Sequence, residues 1–112
     1  MSDVKTPSKL ERVLAAGHQA VTSECGPPRG SDAEEIRKKA EMIRNHVDAV
    51  NITDNQTSVT RLCSLASCIH LKSVGVEPVL QMVVRDRNRI AIQSDILGAA
   101  SFDICNILCL SG

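Results

Sequence analysis

Aromatic side chains are almost missing from this chain: Phe102 stands alone, with no Trp or Tyr anywhere. A core made without them must come from Ile, Leu, Val, Ala, Met and Cys. At 43% apolar content, 112 residues can bury enough for one modest domain. A dominant charge is missing too. Thirteen basic residues balance thirteen acidic ones, so neither a general nucleic-acid surface nor an anionic-membrane surface is expected. No apolar run approaches the ~20 residues of a membrane helix, and the opening residues hold no apolar signal-peptide core. The five cysteines, Cys25, Cys63, Cys68, Cys105 and Cys109, are odd in number and form no C-x-x-C. A disulfide framework or metal site is not expected from them. Small buried hydrophobes in a reducing cytosol fit better, and a cytoplasmic location is the expectation.

What the chain does have is centred on Glu24-Cys25-Gly26-Pro27-Pro28-Arg29-Gly30. The Gly-Pro-Pro-Arg-Gly run can be neither helix nor central strand, because proline lacks the amide donor and glycine costs backbone entropy. An extended segment from His18 leads into it. Behind it Ser31 can cap a helix, with Glu34 bonding back to the Ser31 amide as a capping box. Glu24 therefore falls where a strand ends and a rigid loop begins, the place where parallel α/β folds carry their chemistry.

The remaining chain alternates. Met1–Thr6 reads as a frayed start, and Pro7 or Ser8 opens a short helix closed by Gly17. A strand runs from His18 to Glu24. The helix after Ser31 carries Ala33, Ile36, Ala40, Ile43 and Val47 on one face. The second strand is Ala49–Thr53, followed by the polar loop Asp54-Asn55-Gln56-Thr57. Thr57 or Ser58 caps a helix whose buried stripe is Leu62, Leu65, Ala66 and Ile69, ended by Gly75. The third strand, Val79–Val84, is nearly all apolar, as a strand covered on both faces should be. Arg85-Asp86-Arg87-Asn88-Arg89 leads into a helix with Ile92, Ile96, Leu97 and Ala100. A fourth strand spans Asn106–Leu110. Strands recurring about every 30 residues between helices predict a parallel sheet. That sheet is either a small doubly wound domain or the N-terminal half of a (β/α)8 TIM barrel, with four parallel strands and intervening helices. A chain stopping just after an apolar strand favours the half-barrel, and the front part of something longer is expected. An N-terminal helix at 1–17 would precede the partial barrel at 18–112.

The blocks now collected resemble the catalytic barrel of the methylenetetrahydrofolate reductase family, in its bacterial and archaeal form. They are Glu24–Gly30, Val50–Gln56, Gln81–Arg89, Gln93–Ala99 and Asn106–Gly112, in the family's order and at its spacing. The resemblance implies a flavoprotein oxidoreductase of one-carbon metabolism and methionine biosynthesis. It would use FAD to reduce 5,10-methylenetetrahydrofolate to 5-methyltetrahydrofolate, with NAD(P)H or another donor recharging the flavin. A homo-oligomer or larger complex is expected of the full-length protein. Glu24 matches the family's general acid, whose task needs a carboxyl that holds a proton near neutral pH. Thr53, Gln81, Ser111 and Gly112 match flavin-contacting positions. Gln81 stands where better-studied bacterial members carry a histidine, and a glutamine there cannot titrate. Asp54, Asn55 and Gln56 share the mouth and are expected to contact substrate.

Each of these residues has an ordinary alternative. Glu24 can be a solvated strand-end carboxylate, Thr53 a β-former or loop cap, and Gln81 an internal layer contact. Arg85, Arg87 and Arg89 suit a pyrophosphate or the folate glutamate tail beside a helix start. Equally, they can form a solvated loop in which Asp86 caps the helix. As a whole, the chain reads as an N-terminal part of the reductase, inactive alone. The alternatives are a non-catalytic half-barrel, or a small α/β binding module, that assembles with itself or a partner.

Overall fold

A computed structural model describes residues 8–112; the reading of Met1–Thr6 lies outside the described residues. Its four strands are β1 (Thr22–Cys25), β2 (Ala49–Ile52), β3 (Pro78–Val83) and β4 (Ile107–Leu110). They lie in the order β1-β2-β3-β4 and every neighbouring pair is parallel. Four helices alternate with them: α1 (Lys9–Ala15), α2 (Ala33–Ile43), α3 (Ser64–Ser73) and α4 (Arg89–Ser101). This is an α/β fold consistent with half of a (β/α)8 barrel.

Strand alternation assigns each side chain its face. Cys25, Val50, Ile52, Leu80 and Met82 join Ile36 and Ala40 of α2, Cys68 and Leu71 of α3, and Ala99 of α4 in one buried cluster. Burial of each large aliphatic member contributes about 1.5–3 kcal/mol. The intervening residues Glu24, Asn51, Val79 and Gln81 stand on the opposite, inner face. Leu108 joins them, because it pairs in register with Gln81.

Helix boundaries differ from the sequence expectation in instructive ways. Asp32, not Ser31, caps α2; its Oδ1 accepts from the Glu34 amide at 3.1 Å. A carboxylate one residue nearer wins the cap. Neither Thr57 nor Ser58 caps α3. A 3-10 turn at Gln56–Ser58 intervenes, and Cys63 takes the cap position. The cause is a pair of bonds that draw the segment across the sheet end: Leu62 N–H to Pro28 O at 2.8 Å and Arg61 N–H to Asn55 Oδ1 at 2.8 Å. The fully buried line of α3 is Ser64, Ser67, Cys68 and Leu71, whereas Leu62, Leu65 and Ile69 pack only at its edges. Small side chains bring the helix close to the sheet, and the Ser67 hydroxyl is satisfied by Cys63 O at 3.0 Å. In α4 only Ala99 is fully buried. Ile96 and Leu97 are exposed, because no further element among the described residues covers that side.

The base of the sheet is closed by α1. Ser8 caps it by accepting from the Glu11 amide at 3.0 Å, and its hydroxyl lies 2.7 Å from Asn106 Oδ1. Glu77 accepts from the Leu10 amide at 2.5 Å. Glu77 and Asn106 directly precede β3 and β4, so α1 is pinned beneath the amino ends of those strands. Gly17 follows with φ +83°, as its place after the helix requires.

Candidate active site

The carboxyl ends of the strands carry the polar residues singled out above. Glu24 is the penultimate residue of β1, exposed on the inner face, and it pairs in register with Asn51. Its carboxylate has no hydrogen-bond or ion-pair partner among the described residues. Together Glu24, Asn51, Thr22, Val79 and Leu108 line a concavity of about 750 Å³ on that face.

One step nearer the rim stand Thr53 and Gln81, exposed by 6% and 7%. The Thr53 hydroxyl donates to Gln56 Oε1 at 2.8 Å. Gln56 Nε2 in turn sits 3.2 Å from where a Cβ on Gly26 would be, so glycine allows the first loop to press against the second. Gln81 accepts through Oε1 from Asn51 Nδ2 at 3.2 Å.

Asp54 is almost fully buried, and both its oxygens are used. It accepts from the Val83 amide at 2.8 Å and from both terminal nitrogens of Arg87, with Nη2 to Oδ1 at 3.1 Å. The hydrogen bond to Asp54 is the main cause holding the Arg87 guanidinium above its ordinary value. Arg87 is therefore a brace of the rim. Asn55 adopts left-handed φ, as do Thr57 and Ser58, which bends this loop sharply. Its side chain accepts from the Arg61 amide.

Of the other arginines, Arg85 forms an exposed pair with Asp86, at Nε–Oδ2 2.9 Å, and that bond holds the Asp86 carboxyl below its usual value. Arg89 reaches Gln93 Oε1 at 3.3 Å. Asp86 does not cap α4; Asn88 does, through Oδ1 to the Ala91 amide at 2.9 Å. Ser111 and Gly112 lie at the end of β4. Gly112 has φ +108°, and a Cβ there would fall 2.6 Å from Arg85 Cβ, so the position needs glycine.

Register thus brings Glu24, Thr53 and Gln81 onto one sheet face, with Gln56 bonded to Thr53. Asp54 and Asn55 are turned into the rim's own bonding. Sequence reasoning passed over Asn51, whose Oδ1 is buried without a partner among the described residues. The signal was available: Asn51 interrupts an apolar strand in the same phase as Thr53. It also passed over Arg61, which donates to Pro27 O at 3.3 Å while its Nε is buried and unpartnered. Among the described residues no three His, Cys, Asp or Glu side chains cluster to hold a metal, and no helix is long and apolar enough to cross a membrane.

Parallel strands, helices packed on one face and Glu24, Thr53 and Gln81 on the other define an α/β fold consistent with half of a (β/α)8 barrel. It belongs to the methylenetetrahydrofolate reductase family, whose model matches residues 9–112. A comparison with curated proteins gave no match. The family is generally flavin-dependent. The inner face fits such a group: Asn51 and Gln81 keep unused hydrogen-bonding capacity, and Gly26 and Gly112 stand where added side chains would crowd the rim.

Proposed function

We propose that the chain supplies the Glu24-bearing half of a flavin-dependent folate oxidoreductase, one that reduces 5,10-methylenetetrahydrofolate to 5-methyltetrahydrofolate. The observation that carries the reading is the placement of Glu24: a carboxyl without a partner among the described residues, on the inner face, in register with Asn51 and lining the concavity. Family membership supports the reaction class. Bound FAD, recharged by NAD(P)H or another donor, supplies the hydride.

The chain's own residues do the rest. Glu24, as general acid, delivers a proton to a folate nitrogen, so that the methylene bridge opens to an iminium carbon able to accept the hydride. Thr53 and Gln81 hold the flavin ring by hydrogen bonds, and Ser111 and Gly112 form part of its seat. Gln56 lines the substrate side, and Asn55 fixes the loop behind it by accepting from the Arg61 amide. Asp54 serves that side from behind by fixing the loop through Val83 and Arg87. Both β1 and β4 are sheet edges, so the described half leaves its ligand face open. Turnover is expected only where further strands close it.

The test is Glu24→Gln in the flavin-loaded protein with the strands that close the sheet present. Folate reduction should fall by at least about a hundredfold, while flavin content and reduction by the nicotinamide donor stay unchanged. Unimpaired folate turnover would overturn the assignment.

A further inference from the structure

We propose that Asn51 and Gln81 act together as a reader of a lactam edge, meaning a ring N–H beside a ring C=O, on a fused heterocycle bound at the inner face. The Asn51–Gln81 bond at 3.2 Å uses one end of each amide. Asn51 Oδ1 is then a buried acceptor with no donor, and Gln81 Nε2 has no partner among the described residues. Gln81 is 7% exposed. The secluded Asn51 acceptor is costly to leave unpaired, whereas Gln81 Nε2 still reaches solvent, and amides facing inward from a strand cannot be satisfied by the sheet's own ladder.

One acceptor beside one donor is the complement of a lactam edge: the acceptor takes the ring N–H and the donor serves the ring carbonyl. Amide reorientation leaves this complement intact. If both side chains are turned over, Gln81 Nε2 bonds Asn51 Oδ1, and the pair again presents one donor and one acceptor. Val79 and Leu108 give the neighbouring concavity an apolar floor that a flat ring can cover.

Only the identity of the ring rests on the function proposed above. Isoalloxazine and pterin both carry N3–H next to C4=O, so either is a source of this edge. The experiment separates them. The side-chain amide signals of Asn51 and Gln81 are followed by NMR in the full chain, titrated with lumiflavin, with 6-methylpterin, and with the N3-methyl derivative of each. The ring that is read should shift both amides and bind at least about tenfold more tightly than its N3-methyl derivative. Asn51→Leu should bring the two affinities together. Gln81→Leu should do the same, and it stands in if the first variant does not fold. Equal affinities of parent and N3-methyl rings, unmoved amides under a bound ring, or no binding of any ring at millimolar concentration would overturn the proposal. No turnover enters this measurement. Active Glu24→Gln would therefore sink the reductase reading and leave the edge reading standing, and the reverse outcome would separate them equally well.

Discussion

Arg87 reaches back over the rim to Asp54, donating from Nη2 to Oδ1 at 3.1 Å, while the Val83 amide fills the other oxygen at 2.8 Å. Asp54 is 1% exposed. The carboxylate thus locks the end of β2 to the end of β3. Arg87→Met should cost about 3 kcal/mol, the lower end of what stranding a buried charge costs, because Arg87 keeps 17% side-chain exposure. Urea unfolding measures it. A loss below about 1 kcal/mol would mean that the pair braces nothing.

Gly26 separates the first two rim loops. Gly26→Ala places a Cβ 3.2 Å from Gln56 Nε2. Gln56 can swing aside but then releases the Thr53 hydroxyl, at a cost of about 1 kcal/mol. The Gln56 side-chain amide signal should shift in the variant, and an unshifted signal would contradict the contact.

The thiols should divide by burial. Burial first, and the neighbouring Cys63 second, push the Cys68 thiol up to about 12 from an ordinary 9.0; burial also raises that of Cys25. Iodoacetamide at pH 8 should therefore modify exposed Cys63 and Cys109 and spare Cys68 until the chain unfolds. The raised thiols also set a pH dependence. The folded state keeps protons that the unfolded chain releases above its ordinary thiol value. Stability is then fully present below about pH 9 and declines toward about pH 12, by about 1.4 kcal/mol per pH unit for one such group. Urea midpoints at pH 8 and 10.5 check it, and unchanged midpoints would be the contrary result.

Glu77 holds α1 against the base through the Leu10 amide at 2.5 Å and the Ser8 hydroxyl at 3.2 Å. Glu77→Ala should free α1, with about 1–3 kcal/mol lost and faster amide exchange in residues 9–15 than in β3. Unaltered exchange across α1 would show that the helix is held by other means.

The alternation of strand and helix was legible because period and punctuation agree: β3 is a run of apolar residues between Pro78 and the charged loop, and Gly75 ends α3. The phase of α3 was not legible. Apolar residues at 62, 65, 66, 68, 69 and 71 surround that helix, and only the sheet chooses which of them it covers. For α4 the apolar pattern was real, but Leu97 remains 72% exposed, since burial depends on neighbours and not on the helix alone. At the site, Glu24 and Gln81 could be picked out as polar residues at or within strands. The duty of Asp54 could not, because its partner Arg87 lies 33 residues away and nothing local announces the pairing. Asn51 obeyed the same rule as Gln81 and was overlooked.

The unpaired edge of β4 has a last implication. Ile107 and Cys109 point to the side of the helices, while Leu108 and Leu110 point inward with Gln81 and Val83. Any strand that extends the sheet there inherits this phase: the alternate residues alongside Leu108 and Leu110 become lumen residues, and a slip of one position would turn its whole lining inside out. β4 therefore acts as a ruler, dictating which side chains of its next neighbour can ever meet a ligand.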